Sequence, residues 1–347
     1  MKSKIGIIGH FGFGKEFLDG QTIKTKILYE ELRNILGEEQ VLYLDTYNFK
    51  KNLFKMLIKS MKLSFKTENI VINLSKRGRN VFIPIFYYLK KIFGIRVHCM
   101  VIGGGFADQM RDNKYVRNIS KKIDGIYVET NVMLDALKEL GYQNVKHLNN
   151  FKSLEIIHKS KLNSEVNTPL RICTFSRVVK EKGIEVIMDA IEMINQKEKK
   201  VVYTLDIYGQ IDEKYLSEFK NKMENSPEYI KYKGMIDYDK SVDIIQDYFL
   251  LAFPTLYRTE GVPGTIIDAY ASGVPVISSD WDSCNDVIDD NITGIIFKLG
   301  DVNDLKSKLE EVYADPHRIT NMKENCLGKA LEYSSHVVIP KFLDSLD

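Results

Sequence analysis

Short, continuous apolar runs alternate with amphipathic stretches along nearly the whole chain, and the pattern occurs twice. The first series places strands at residues 4–8, 41–44, 70–74, 97–102 and 125–128, with a glycine-rich loop and a helix over 22–36 between the first two. Strands that are apolar on both faces and separated by helical periods predict βαβ units in a parallel sheet. A polar stretch without a strand pattern runs to about residue 169 and reads as a linker. The second series then places strands at 171–175, 201–208, 230–233, 249–253 and 274–278, with helices at 183–195, 266–271 and 301–313. Residues 329–347 form one amphipathic stretch able to pack back on the first domain.

The expected architecture is therefore α/β, with two Rossmann-like domains over 1–165 and 166–328 and a C-terminal helix over 329–347. A length of 347 residues agrees, since single cores stop growing near about 250–300 residues. No run of about 18 apolar residues is present, and the first apolar run, interrupted by Gly6, Gly9 and His10, reads as a strand rather than a signal peptide. Cys99, Cys173, Cys284 and Cys326 show no metal-ligand spacing and read as reduced thiols of a cytoplasmic protein. The six histidines are equally scattered, so no metal is expected.

Charge changes the picture more than composition does. Residues 1–150 hold 25 Lys and Arg against 14 Asp and Glu, a balance of +11; the remaining 24 against 33 give −9. A basic first half points that half toward an anionic surface. Lys51, Lys55, Lys59, Lys62 and Lys66 recur at helical steps within residues 49–66, opposite Leu53, Leu57, Met61, Phe54, Ile58 and Phe65. Such a helix either lies on an anionic membrane or packs into the core with a solvated basic face. No nucleic-acid reading motif accompanies the charge.

Candidate chemistry concentrates in the second half. In FPTLYRTEGVPGTIIDAYASGVPVIS, a strand ends, a loop carries Glu260 with Gly261, Val262, Pro263 and Gly264, and a helix begins near Thr265 with Asp268 two turns in. Amide groups at a helix start suit a diphosphate, and carboxylates accept hydrogen bonds from sugar hydroxyls. Upstream, SRVVKEKG places Arg177 and Lys182 in the loop opening another helix, two cations that can neutralise phosphates.

These motifs resemble the signature of the retaining glycosyltransferases of family 4, with GT-B architecture, in which two Rossmann-like domains face each other across a cleft. The resemblance implies a metal-independent, hexosyl-type glycosyltransferase without a cofactor, using a UDP-sugar to extend a glycan or lipid-linked glycan in cell-surface polysaccharide assembly. It assigns Arg177 and Lys182 to the leaving diphosphate, Glu260 to the sugar, and Asp268, where the family has Glu, to the ribose. It assigns Gly20 and Gln21 to an N-terminal glycine loop near the donor phosphates, Gly209, Gly234 and Met235 to the base, and Gly103, Gly104 and Gly105 to the acceptor side. His98 lies inside a strand run and receives no catalytic role.

Two other classes stay open: a nucleotide-sugar epimerase on the same fold, and a silent partner that binds nucleotide-sugar. A dinucleotide site at Gly6, Gly9, Gly12 and Gly14 with Asp45 fits poorly, because Gly14 precedes Asp45 by 45 − 14 = 31 residues rather than about 20. The expected location is the cytoplasm, with peripheral contact at the inner face of the membrane.

Overall fold

The computed structural model describes residues 2–13, 20–237 and 239–346. They form two compact units, Met1–Ser153 with Tyr333–Asp347, and Leu154–Glu332.

The first unit is a six-stranded sheet of β1 (Ser3–Gly9), β2 (Val41–Asp45), β3 (Thr67–Asn73), β4 (Arg96–Met100), β5 (Gly125–Val128) and β6 (Val145–His147). Every pairing is parallel, in the order β2-β1-β3-β4-β5-β6. Alternate β1 residues serve opposite faces, as strand geometry requires. Ile5 and Ile7 pack with Leu28 and Leu32 of α1 (Gly20–Leu36), whereas Ile8 joins Ile72, Phe82 and Phe86 on the other side. Phe82 and Phe86 belong to α3 (Lys76–Phe93), which follows α2 (Leu53–Lys66). The final helix, Ser335–Asp344, closes the α1 side with Val338, Ile339 and Phe342. Phe342 meets the Tyr127 ring edge-on at 4.9 Å.

The second unit repeats the plan with β7 (Leu170–Phe175), β8 (Tyr203–Tyr208), β9 (Ile230–Gly234), β10 (Leu250–Phe253), β11 (Val276–Ser279) and β12 (Gly294–Phe297). Their order is β12-β11-β10-β7-β8-β9, again parallel throughout. In each sheet the chain moves outward on one side and then crosses to the other. Those crossings put topological switch points between β1 and β3 and between β7 and β10, where crevices open beyond the carboxyl ends of the strands.

Several expectations need correction. The polar stretch after residue 153 is docked on the second unit: the Ile157 amide donates to Ala271 O at 3.0 Å, and Lys159 pairs with Glu324. The unit boundary consequently falls at Ser153 rather than 165. The single C-terminal stretch is two helices, His317–Leu331 and Ser335–Asp344. Between them the Tyr333 carbonyl accepts from Lys152 N at 3.0 Å and the Lys152 carbonyl from Ser335 N at 2.9 Å, which fixes the return to the first unit.

The basic segment also differs from the expected single helix. Lys51 sits in a separate 3₁₀ turn, Phe49–Lys51, because Asn52 caps α2 by accepting from the Lys55 amide at 2.9 Å. The buried face of α2 is Met56, Ser60, Leu63 and Ser64, and small serines suit a close approach to the sheet. A Cβ added at Gly6 of β1 would lie 3.1 Å from Leu63. Of the two readings of this segment, core packing of its large apolar face does not hold: Leu53, Phe54, Leu57, Ile58, Met61 and Phe65 are exposed beside the lysines, Phe54 by 74% and Phe65 by 67%.

Candidate functional site

At the switch point of the second sheet, the loops after β7 and β10 come together. The β7 loop is pinned on both sides, with the Val178 amide donating to Gln210 O at 2.8 Å and the Leu256 amide donating to Glu181 O at 2.8 Å. Two glycines permit this contact. At Gly183 (φ 65°) a Cβ would lie 2.0 Å from Pro254 O, and at Gly209 (φ 138°) it would lie 1.7 Å from Ser176 O. The loop's Lys182 forms an ion pair with Glu260 from the β10 loop. The lysine also lies over the rings of Phe253 and Tyr257, at 5.1 and 5.5 Å.

Glu260 accepts from Thr255 Oγ1 at 3.0 Å through the same oxygen that pairs with Lys182. Among the described residues Oε2 has no hydrogen-bond partner and is the oxygen left for a ligand hydroxyl. Arg177 is exposed at the start of the β7 loop. Burial pushes the Tyr257 hydroxyl upward, and the Arg177 charge opposes that shift, so the cation acts within the same crevice. Gly264 and Thr265 open the helix Gly264–Ala271, where the first amides lack intrahelical acceptors. Thr265 Oγ1 is buried without a partner there. Two cations, a carboxylate and a helix start thus converge on one crevice.

Asp268 lies in that helix, 6% exposed, and its Oδ2 accepts from Ser241 Oγ at 2.8 Å. Gly209 and Gly234 are joined by a 2.9 Å amide-to-carbonyl hydrogen bond at the ends of β8 and β9, and Met235 beside them is exposed. Gly261, Val262 and Pro263 form the loop preceding Gly264, with Val262 buried.

The remaining expected residues belong to the first unit. Gly20 and Gln21 form the first turn of α1 rather than a loop; Gly14 lies outside the described residues. Gly103, Gly104 and Gly105 follow β4, with Gly103 at φ 76°. A cavity of about 490 Å³ opens instead at the carboxyl ends of β1, β2 and β3, lined by His10, Gln21, Lys50, Lys51 and Arg77 among others. Sequence reasoning missed His10, Lys50 and Arg77, and it assigned Lys51 to the basic helix. Only the strand order, which makes β1 and β3 neighbours, could have grouped them.

Residues 169–315 match the sequence family described as Glycosyl transferases group 1. The amylovoran biosynthesis glycosyltransferase AmsK of Erwinia amylovora is 27% identical over 154 residues, 43% of this chain and 37% of AmsK. The poly(ribitol-phosphate) alpha-N-acetylglucosaminyltransferase of Staphylococcus aureus is 22% identical over 240 residues, 67% of this chain and 46% of that enzyme. The chain thus spans less than half the length of these two relatives. Anabaena Alr3699/HepE, solved in complex with UDP, superposes with a TM-score of 0.76 at 13% identity, covering 99% of both chains. The fold is GT-B.

Within the GT-B scaffold other candidate groups are structural. His98 in β4 is 2% exposed with neither ring nitrogen hydrogen-bonded, and burial drops its pKa to about 4. Asp45, a conceivable ribose ligand, accepts from the backbone amides of Phe11, Gly12 and Tyr47 at 2.9–3.1 Å and ties two loops together. The four cysteines are buried, which raises the Cys99 thiol to about 11 and the Cys284 thiol to about 12. Among the described residues, no cluster of three or more His, Cys, Asp or Glu could hold a metal ion, and no helix is long and apolar enough to cross a membrane.

Proposed function

We propose that this chain is a retaining, metal-independent glycosyltransferase of family 4 that moves a hexosyl group from a UDP-sugar to a glycan or lipid-linked glycan in cell-surface polysaccharide assembly. The observation that carries this reading is the meeting of Lys182 and Glu260, beside Arg177, at the start of the helix Gly264–Ala271. The names of the relatives support the same chemistry: one acts in amylovoran biosynthesis, another transfers N-acetylglucosamine, and the superposed structure contains UDP.

In this reading the donor diphosphate lies at the helix start, where Arg177 and Lys182 neutralise charge as it develops on the leaving group. Glu260 accepts from a sugar hydroxyl through Oε2, while Lys182 and Thr255 hold the carboxylate in place. Asp268, anchored by Ser241, serves the ribose, and the backbone at Gly209, Gly234 and Met235 frames the base. The acceptor oxygen attacks the anomeric carbon on the face from which the diphosphate leaves. The carbon–phosphate oxygen bond breaks with its electron pair going to the diphosphate, which takes the acceptor hydroxyl proton. The configuration is retained. The first unit presents the acceptor, with Gly103, Gly104 and Gly105 on that side.

The exposed apolar residues of α2, interleaved with Lys55, Lys59, Lys62 and Lys66, support peripheral contact with the inner face of the cytoplasmic membrane. Each lysine near an anionic surface contributes about 1 kcal/mol. Lys51, outside that helix, drops out of this surface.

The test is UDP release from UDP-glucose, UDP-galactose and UDP-N-acetylglucosamine with prenyl-diphosphate-linked sugars as acceptors, in EDTA, with the product anomer read by NMR. A product of retained configuration, lost in Glu260→Gln, is expected. An isomerised sugar released without acceptor would make the chain an epimerase. Activity abolished by EDTA and restored by a divalent cation would defeat the metal-independent reading.

A further inference from the structure

Three cations line the cavity of the first unit, Lys50, Lys51 and Arg77, and among the described residues no acidic side chain lines it. Among the described residues, no carboxylate pairs with any of the three. Exposed cations grouped around one opening of about 490 Å³ set up a positive potential that draws in an anion. Its position agrees, since it lies at the switch point between β1 and β3, where a doubly wound sheet receives ligands.

The local structure is arranged for the same charge. α3 begins at the cavity with Lys76 and Arg77 and has no acidic residue in its first turn, the reverse of what the helix dipole favours. Ser75 stands at the N-cap without making a side-chain cap, so the first amides of α3 are left for another acceptor. Gly78 brings bare backbone to the cavity wall. Arg79, by contrast, is buried and committed: it donates to Leu74 O at 2.8 Å and to Gln109 Oε1 at 3.0 Å, which holds the β3–α3 loop in shape. Across the cavity, the 3₁₀ turn Phe49–Lys51 supplies Lys50 and Lys51.

We propose that this cavity binds a phosphate group carried by the acceptor. The assignment to the acceptor rests on the proposed function, which places the donor diphosphate at Arg177 and Lys182 in the other unit. Phosphate is favoured over carboxylate because a helix start combined with Arg and Lys side chains matches a multiply charged group with several acceptor oxygens. The phosphate has two sources: a lipid-linked diphosphate, or a phosphodiester within a polyol polymer such as the one named for the Staphylococcus relative.

The test is isothermal titration of the full chain, with UDP saturating, using geranyl diphosphate, glycerol 3-phosphate and uncharged geraniol as probes. At least one phosphate probe should bind and geraniol should not. Arg77→Ala and Lys50→Ala/Lys51→Ala should each weaken that probe tenfold or more while leaving thermal stabilisation by UDP unchanged; all three residues are exposed, so the fold survives. Binding of geranyl diphosphate alone assigns a lipid-linked acceptor, and binding of glycerol 3-phosphate assigns a polyol phosphate. The proposal is overturned if neither phosphate probe binds or if both variants bind as tightly as the parent. If UDP fails to stabilise the parent while the Arg77 dependence persists, the transferase reading fails and the cavity's anion site stands without its acceptor role.

Discussion

Gly209→Ala is the most informative perturbation of the crevice, because its cost can be worked out from two separate terms. The residue sits at φ 138°, and an added Cβ would lie 1.7 Å from Ser176 O and 2.8 Å from the carbonyl carbon. Those are backbone atoms of a loop pinned by Ser176 N to Tyr208 O at 3.2 Å and by Val178 N to Gln210 O at 2.8 Å. Holding a non-glycine residue at positive φ costs about 1–3 kcal/mol, and forcing packed backbone apart adds about 1–3 kcal/mol. The expected loss is at least about 2 kcal/mol, or about 4–8 °C for a unit of this size. Relief requires displacement of Ser176 and Arg177, so UDP affinity should fall as well. Gly234→Ala is the control: φ is 83° but no atom lies within 4 Å, so it incurs the conformational term alone. Urea denaturation and UDP titration of both variants give the comparison. The reasoning is refuted if Gly209→Ala is no less stable than Gly234→Ala and binds UDP normally.

Lys182→Met removes the partner of Glu260 and a phosphate ligand together, and should weaken UDP at least tenfold by titration; Glu260→Gln should bind UDP within threefold of the parent yet lose turnover. His98 should make the protein acid-sensitive. Its folded pKa is depressed from 6.5 to about 4, so the unfolded chain binds a proton that the folded chain refuses. Stability is fully present above pH 6.5 and falls as pH drops toward 4, by up to about 3 kcal/mol, and His98→Leu should flatten that part of a urea-midpoint profile. Replacing exposed Phe54, Ile58 and Phe65 with serine should leave stability within about 0.5 kcal/mol per site while abolishing sedimentation with anionic vesicles; retained vesicle binding would remove α2 from the membrane surface.

The parallel sheets were legible because strands such as β1 and β3 are apolar on both faces and end after about 4–8 residues, shorter than most helices. β6 escaped because Val145–His147 is a three-residue edge with two exposed positions, and β12 because Gly294–Phe297 follows a turn without an amphipathic lead-in. The α2 segment shows a subtler limit. Its helical period is real, yet the face that packs is Met56, Ser60, Leu63 and Ser64, and the larger apolar side chains stay exposed. The loops that carry Lys182 and Glu260 were legible because each residue precedes a glycine, Gly183 and Gly261, and Arg177 lies five positions before Lys182 in the same loop. The cavity formed by His10, Lys50 and Arg77 was not, because three loops separated by two helices meet only once the strand order is known.

The central claim is that the crevice formed by Arg177, Lys182 and Glu260 holds a nucleotide diphosphate. Its most direct test is thermal stabilisation of the purified chain by UDP, GDP, ADP and NAD in EDTA. A ligand at a hundred times its dissociation constant stabilises by about 2.7 kcal/mol, so UDP should raise the transition of the parent clearly and that of Arg177→Ala much less. Stabilisation by NAD alone, or by UDP equally in both proteins, would contradict the account.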